Sequence, residues 1–195
     1  MSRIFVGVFV GGRAVRLGGV PKGLLLPAPD SGEPIVARLA RISREAIPNS
    51  EFVLVGDARA YAHFGHHSID DAPSGIGPIG ALIALLDRAR IEQADAIALA
   101  ADMPFVSREL VSRLATHAPG AAAVAPRIDG LWQPLFARYR SDVVWEAATR
   151  VVSSGRRALH HVLSYMGAAS VELPLSEKEA LELRDWDTPA DVTGG

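Results

Sequence analysis

Four positions near the start of the 195-residue chain, Gly11, Gly12, Arg16 and Lys22, have the types and spacing to hold an anion. They belong to a loop of pattern G-G-x-x-x-R-x-G-G-x-x-K that also carries Arg13. Glycine lets backbone N–H groups turn inward, while the two arginines and the lysine bring charge and several donors for phosphate oxygens. The competing reading is an ordinary turn with solvated charges. The order is not that of a P-loop, because Gly23 follows Lys22, and it lacks the G-x-G-x-x-G of a dinucleotide site. A second chemical position is Asp102, directly after an apolar run. At the carboxyl end of a strand such a carboxylate suits Mg²⁺, a hard cation that takes oxygen ligands and shared phosphates. Its alternative duty, capping the next helix, falls better to Ser107. Asp70 and Asp71 either cap a turn or meet a nucleoside. His63, His66 and His67 read as turn residues, since Gly65 interrupts the set.

Strands and helices must bring these positions together. The apolar, β-branched run 4–10 reads as a buried strand that opens into the glycine-rich loop. From Pro34 to position 46 the period is helical, with Ile35, Leu39, Ile42 and Ala46 on one face. A short strand at 52–55, a weaker helix at 57–64 and a strand ending in Asp70 and Asp71 follow. Pro78 opens a helix whose face is Ile79, Leu82, Ile83 and Leu86. The run 94–100 predicts a strand at the middle of the sheet, and 107–117 a helix. A strand at 121–125 leads into a hairpin over 127–132 that turns at Asp129-Gly130. Helices are expected at 141–152 and 156–165 and a last strand at 170–173, before an acidic segment. The alternation predicts a three-layer α/β fold with a mostly parallel sheet and a β-hairpin insertion. Residues 1–195 are expected to form one domain.

Composition limits the function classes. Hydrophobic residues make up 49% of the chain, and 20 basic against 22 acidic side chains leave a formal charge of −2. That balance gives no electrostatic case for nucleic acid or an anionic membrane surface. The absence of cysteine excludes disulfides and thiolate metal sites, and no secretory pattern opens the sequence. Apolar runs stop short of the ~20 residues of a membrane span, so a soluble, cytoplasmic protein is expected.

The glycine-rich pattern resembles that of the nucleotidyltransferases of glycosyltransferase-A type, and most nearly the molybdenum cofactor guanylyltransferases. Three further segments are similar in the same order: Gly77-Pro78-Ile79-Gly80-Ala81-Leu82, Ala101-Asp102-Met103-Pro104-Phe105-Val106, and Asp185-Trp186-Asp187-Thr188-Pro189. Gln133-Pro134-Leu135 resembles the family's segment near the acceptor. The resemblance implies a Rossmann-like three-layer nucleotidyltransferase in which Gly11, Gly12, Arg16 and Lys22 wrap the β- and γ-phosphates of GTP. By offset it implies Asp70, in preference to Asp71, and Gly77 as nucleoside contacts. It also implies Mg²⁺ on Asp102 with Asp187 as a second ligand, Arg16, Lys22 and Asp102 as the catalytic set, and molybdopterin as acceptor. Proteins of molybdenum cofactor biosynthesis or delivery would be its partners. One departure is Pro21, where many guanylyltransferases carry Asp. Pro before this lysine is found in related cytidylyltransferases, whereas segments 77–82 and 133–135 lean to guanylyl transfer. Rival readings are cytidylyl transfer to molybdopterin, nucleotidyl transfer to a sugar phosphate, and a nucleotide-binding protein without turnover.

Overall fold

The computed structural model describes residues 3–11, 20–27 and 32–184. Among these a seven-stranded sheet is built from β1 (Ile4–Phe9), β2 (Ser50–Val55), β3 (His67–Ile69), β4 (Asp95–Ala100), β5 (Ala123–Ala125), β8 (Phe136–Tyr139) and β9 (Ser170–Glu172). Its order is β3-β2-β1-β4-β8-β5-β9, which puts β4 at the centre as its apolar run predicts. β1 lies parallel to both β2 and β4, and β5 lies parallel to β9. β8 runs against β4 and β5, so the sheet is mostly parallel. The remaining strands, β6 (Arg127–Ile128) and β7 (Leu131–Trp132), form the separate hairpin. Asp129 and Gly130 both have positive φ at its turn, the conformation that an Asp-Gly pair accepts most readily.

Every residue of β1 is buried because the sheet is covered on both faces. Ile4, Val6 and Val8 point into one core with Leu39 of α1 (Ile35–Ala46) and Leu110 of α3 (Arg108–Thr116). Phe5 and Phe9 point into the other, with Leu82 of α2 (Pro78–Ile91), Val144 of α4 (Ser141–Ser153) and Val162 of α5 (His160–Met166). The result is the three-layer arrangement that the alternation of elements predicts. Ser107 caps α3, its hydroxyl accepting from the Leu110 N–H at 3.2 Å.

Several local expectations change. Pro34 caps α1 from outside, in an extended conformation, and does not occupy its first turn. The segment near 57–64 is a 3-10 helix over Arg59–Phe64, closed by Gly65 in the left-handed conformation. α5 starts at His160, four residues later than its pattern predicts, because Gly155 turns left-handed after α4 and residues 156–159 form the connection. β8 has no counterpart in the sequence reading, since Arg138 interrupts its apolar run. That guanidinium is only 5% exposed and donates to the carbonyls of His117 (2.9 Å) and Ala118 (2.7 Å). The acidic segment forms α6 (Glu177–Glu182), opened by a reciprocal cap between Ser176 and Glu179.

Candidate active site

A cleft of about 600 Å³ opens at the carboxyl ends of β1, β2 and β4. Register builds it, because Phe9 pairs with Val55 on one side and Ala100 on the other. Bonds beyond the sheet keep the strand ends together: the Val10 N–H donates to Val55 (3.0 Å) and the Ala101 N–H to Phe9 (3.2 Å). Val10 and Gly11 therefore leave the sheet beside Ala101 and Asp102. The carboxyl edge of a parallel sheet is where α/β folds collect ligands.

Lys22 meets Asp102 in this cleft. Its Nζ donates to Asp102 Oδ2 at 2.8 Å, with the two side chains 26% and 22% exposed. The lysine opens a short 3-10 turn, Lys22–Leu24, which the Ile35 N–H ties to the start of α1 through the Leu25 carbonyl at 3.0 Å. Tyr61 lies in the cleft wall behind that turn. The opposite wall is Gln133, Pro134, Leu135 and Leu159. Three bonds fix the Gln-Pro-Leu segment: Gln133 N–H to Pro126 (3.0 Å), Ala100 N–H to Leu135 (2.9 Å), and the Tyr139 hydroxyl to Pro134 (2.7 Å).

Gly11, Lys22, Gly77 and Asp102 all line the cleft. Asp70 does not. It is exposed, while the neighbouring Asp71 is half-buried and faces the cleft. Asp71 Oδ1 is buried without a hydrogen-bond partner among the described residues, and burial, helped by the Asp70 charge, pushes its carboxyl above the usual range. The backbone decides between the two acids. After β3 the chain folds back onto α2, where the Ala72 N–H reaches the Gly80 carbonyl (3.4 Å) and a Cβ on Gly80 would stand 2.2 Å from the Pro73 carbonyl oxygen. Gly80 is therefore a spacing requirement of the site, and the sequence signal for it is its place in Gly77-Pro78-Ile79-Gly80. Gly12, Arg16, Asp185 and Asp187 lie outside the described residues.

Among the described residues no three acidic or histidine side chains gather as a metal cluster. His63 and His66 pack with tilted rings against Phe64 and Phe52, respectively. Asp102 still fits a magnesium-type ion, which needs only one or two carboxylates when phosphates complete its shell. Its charge is met by an ammonium that can turn to phosphate, and both groups share the cleft with the end of the glycine-rich loop.

A family model for the MobA-like NTP transferase domain matches residues 6–170. The chain belongs to that family. This MobA-like transferase is 32% identical over 190 residues to a molybdenum cofactor guanylyltransferase of Pseudomonas putida, covering 93% of this chain and 92% of that one. A protein of the same description from Ectopseudomonas mendocina is 31% identical over 183 residues, covering 89% and 83%. Among solved structures, the molybdopterin-guanine dinucleotide biosynthesis protein A of Archaeoglobus fulgidus superposes with a TM-score of 0.73 at 23% identity, over 97% and 95% of the two chains. The 2-C-methyl-D-erythritol 4-phosphate cytidylyltransferase of Thermus thermophilus gives 0.66 at 15%, over 96% and 94%. These two likenesses concern the fold. No helix among the described residues of the MobA-like transferase is long and apolar enough to cross a membrane.

Proposed function

We propose that this protein is a cytoplasmic, single-domain guanylyltransferase of molybdenum cofactor synthesis that transfers GMP from GTP to the terminal phosphate of molybdopterin. A phosphate oxygen of the acceptor attacks the α-phosphorus, the bond from that phosphorus to the bridging oxygen breaks, and pyrophosphate leaves with the electron pair. The product is a guanine dinucleotide of the cofactor. The observation that carries this reading is the 2.8 Å contact of Lys22 with Asp102 in a cleft at the strand ends of a MobA-like domain.

The protein is asked mainly to position reactants and neutralise charge. Lys22, with Gly11 and the loop residues Gly12 and Arg16, holds the β- and γ-phosphates. Asp71 and the backbone at Gly77 receive the nucleoside, and the wall of Gln133, Pro134 and Leu135 borders the acceptor. Mg²⁺ held by Asp102, with Asp187 as a second carboxylate, supplies charge neutralisation on the phosphates when bound. Cofactor synthesis or delivery proteins are its expected partners. Cytidylyl transfer is the second reading, favoured by Pro21 before Lys22. Incubating the protein with each of the four triphosphates and Mg²⁺, with and without molybdopterin, tests the proposal. Pyrophosphate release with GTP that depends on molybdopterin is expected, whereas nucleotide binding without turnover would leave a binding protein.

A further inference from the structure

Lysine is a poor choice for precise phosphate contact unless its backbone is fixed, because its four-carbon stem rotates freely. The fixing element here comes from a distant part of the chain. Within the turn that Lys22 opens, the Leu24 N–H takes the Pro21 carbonyl at 2.9 Å and the Leu25 N–H takes the Lys22 carbonyl at 3.0 Å. The Gly23 N–H precedes both, and the first donors of any helical turn have no partner within it. Gly23 is instead covered by the ring edge and hydroxyl of Tyr61. Tyr61 stands on the 3-10 helix Arg59–Phe64, is 2% exposed, and forms part of the cleft wall.

The fit between the two residues is close. A Cβ on Gly23 would stand 3.0 Å from both Cε1 and the hydroxyl oxygen of Tyr61, and 3.3 Å from Cβ of Ala101, the neighbour of Asp102. Gly23 is thus seated between the tyrosine and the end of β4. We propose that Tyr61 is a positioning residue for phosphate binding, fixing through Gly23 the turn from which Lys22 reaches into the cleft. The inference rests on the reading above that Lys22 meets the phosphates of the nucleotide. Tyr61 acts through the lysine and has no role of its own in the reaction.

A double-variant cycle on the full chain separates this role from general support of the cleft. Calorimetric titration with GTP in the presence of Mg²⁺ is compared for wild type, Tyr61→Phe, Lys22→Ala and the double variant, with thermal melting to verify the fold. Loss of the hydroxyl that abuts Gly23 predicts roughly fivefold weaker binding for Tyr61→Phe when Lys22 is present. No further weakening is expected when Lys22 is already Ala. Gly23→Ala, which presses a methyl group against the same hydroxyl, should behave in the same way. Wild-type affinity in Tyr61→Phe, or equal weakening in both backgrounds, would overturn the proposal while leaving the role of Lys22 standing. If Lys22→Ala itself bound GTP as wild type does, the phosphate reading of Lys22 would fail first, and the positioning role with it.

Discussion

Lys22 Nζ and Asp102 Oδ2 lie 2.8 Å apart although 80 residues separate them in sequence. One comes from the turn after β1 and the other from the end of β4, so the parallel pairing of those strands creates the contact. The pair stores the two charges the proposed reaction needs, each holding the place of the other's ligand. In the proposed reaction a phosphate that drew Lys22 away would expose the Asp102 carboxylate to a cation. The pair is partly open to water, so it contributes little to fold stability.

Asp102→Asn should abolish most turnover, by about 100-fold or more, because the neutral amide is a weak donor to a hard cation. No core cavity forms, so the melting temperature should stay close to wild type. Steady-state pyrophosphate release measured against Mg²⁺ concentration checks this. Unchanged metal-dependent turnover would remove Asp102 from the site.

Lys22→Ala should weaken GTP binding by about 1.5–3 kcal/mol if the ammonium makes a charge-assisted hydrogen bond to phosphate. Arg16→Ala should act in the same direction. Calorimetry reads both, and wild-type affinity in the two variants would return the loop to an ordinary turn with solvated charges.

Asp71 predicts a pH effect on stability. Its carboxyl is pushed above the ordinary range, first by burial and then by Asp70. Between the ordinary value and the raised one, the folded protein holds a proton that the unfolded chain has released. Stability therefore falls as pH rises through that window, and the penalty persists at neutral pH. Asp71→Asn should melt higher than wild type at pH 7, with the difference closing as the pH drops below the ordinary aspartate range. A pH-independent difference would show that the buried charge is not its source. The same variant should bind nucleotide less well.

Arg138→Ala should destabilise the fold by about 3 kcal/mol while sparing the activity of the folded fraction. The guanidinium is buried, anchors the carbonyls of His117 and Ala118 at the end of α3, and lies 3.9 Å from Asp95. Urea unfolding measures the loss. A change below ~1 kcal/mol would mean that water replaces these contacts at little cost.

The same residue shows where sequence reasoning reaches its limit. β1, β4, α1 and α2 are legible because continuous apolar runs and i, i+3, i+4 faces survive tertiary packing. β8 is hidden because the buried charge in a four-residue strand is met by groups brought in from elsewhere, the His117 and Ala118 carbonyls and the Asp95 carboxylate. α6 carried a readable signal in the S-x-x-E spacing of Ser176 and Glu179, masked by the acidity around it. At the site, residue types and strand ends were enough to single out Lys22 and Asp102. Choosing Asp71 over its neighbour required the path of the backbone between β3 and α2. The part played by Tyr61 depends on an approach to Gly23 that no local pattern encodes.

Guanylyl transfer to molybdopterin is tested most directly by competition. Equal concentrations of GTP and CTP are supplied with Mg²⁺ and a molybdopterin acceptor, and the dinucleotide products are resolved by mass spectrometry. A pocket that hydrogen-bonds the carbonyl and amino edges of guanine leaves its own polar groups unpaired with cytosine, which gives strong discrimination. The guanine dinucleotide should therefore dominate. A product that is mainly the cytosine dinucleotide would contradict the account of the base, and formation of neither would contradict the transfer itself.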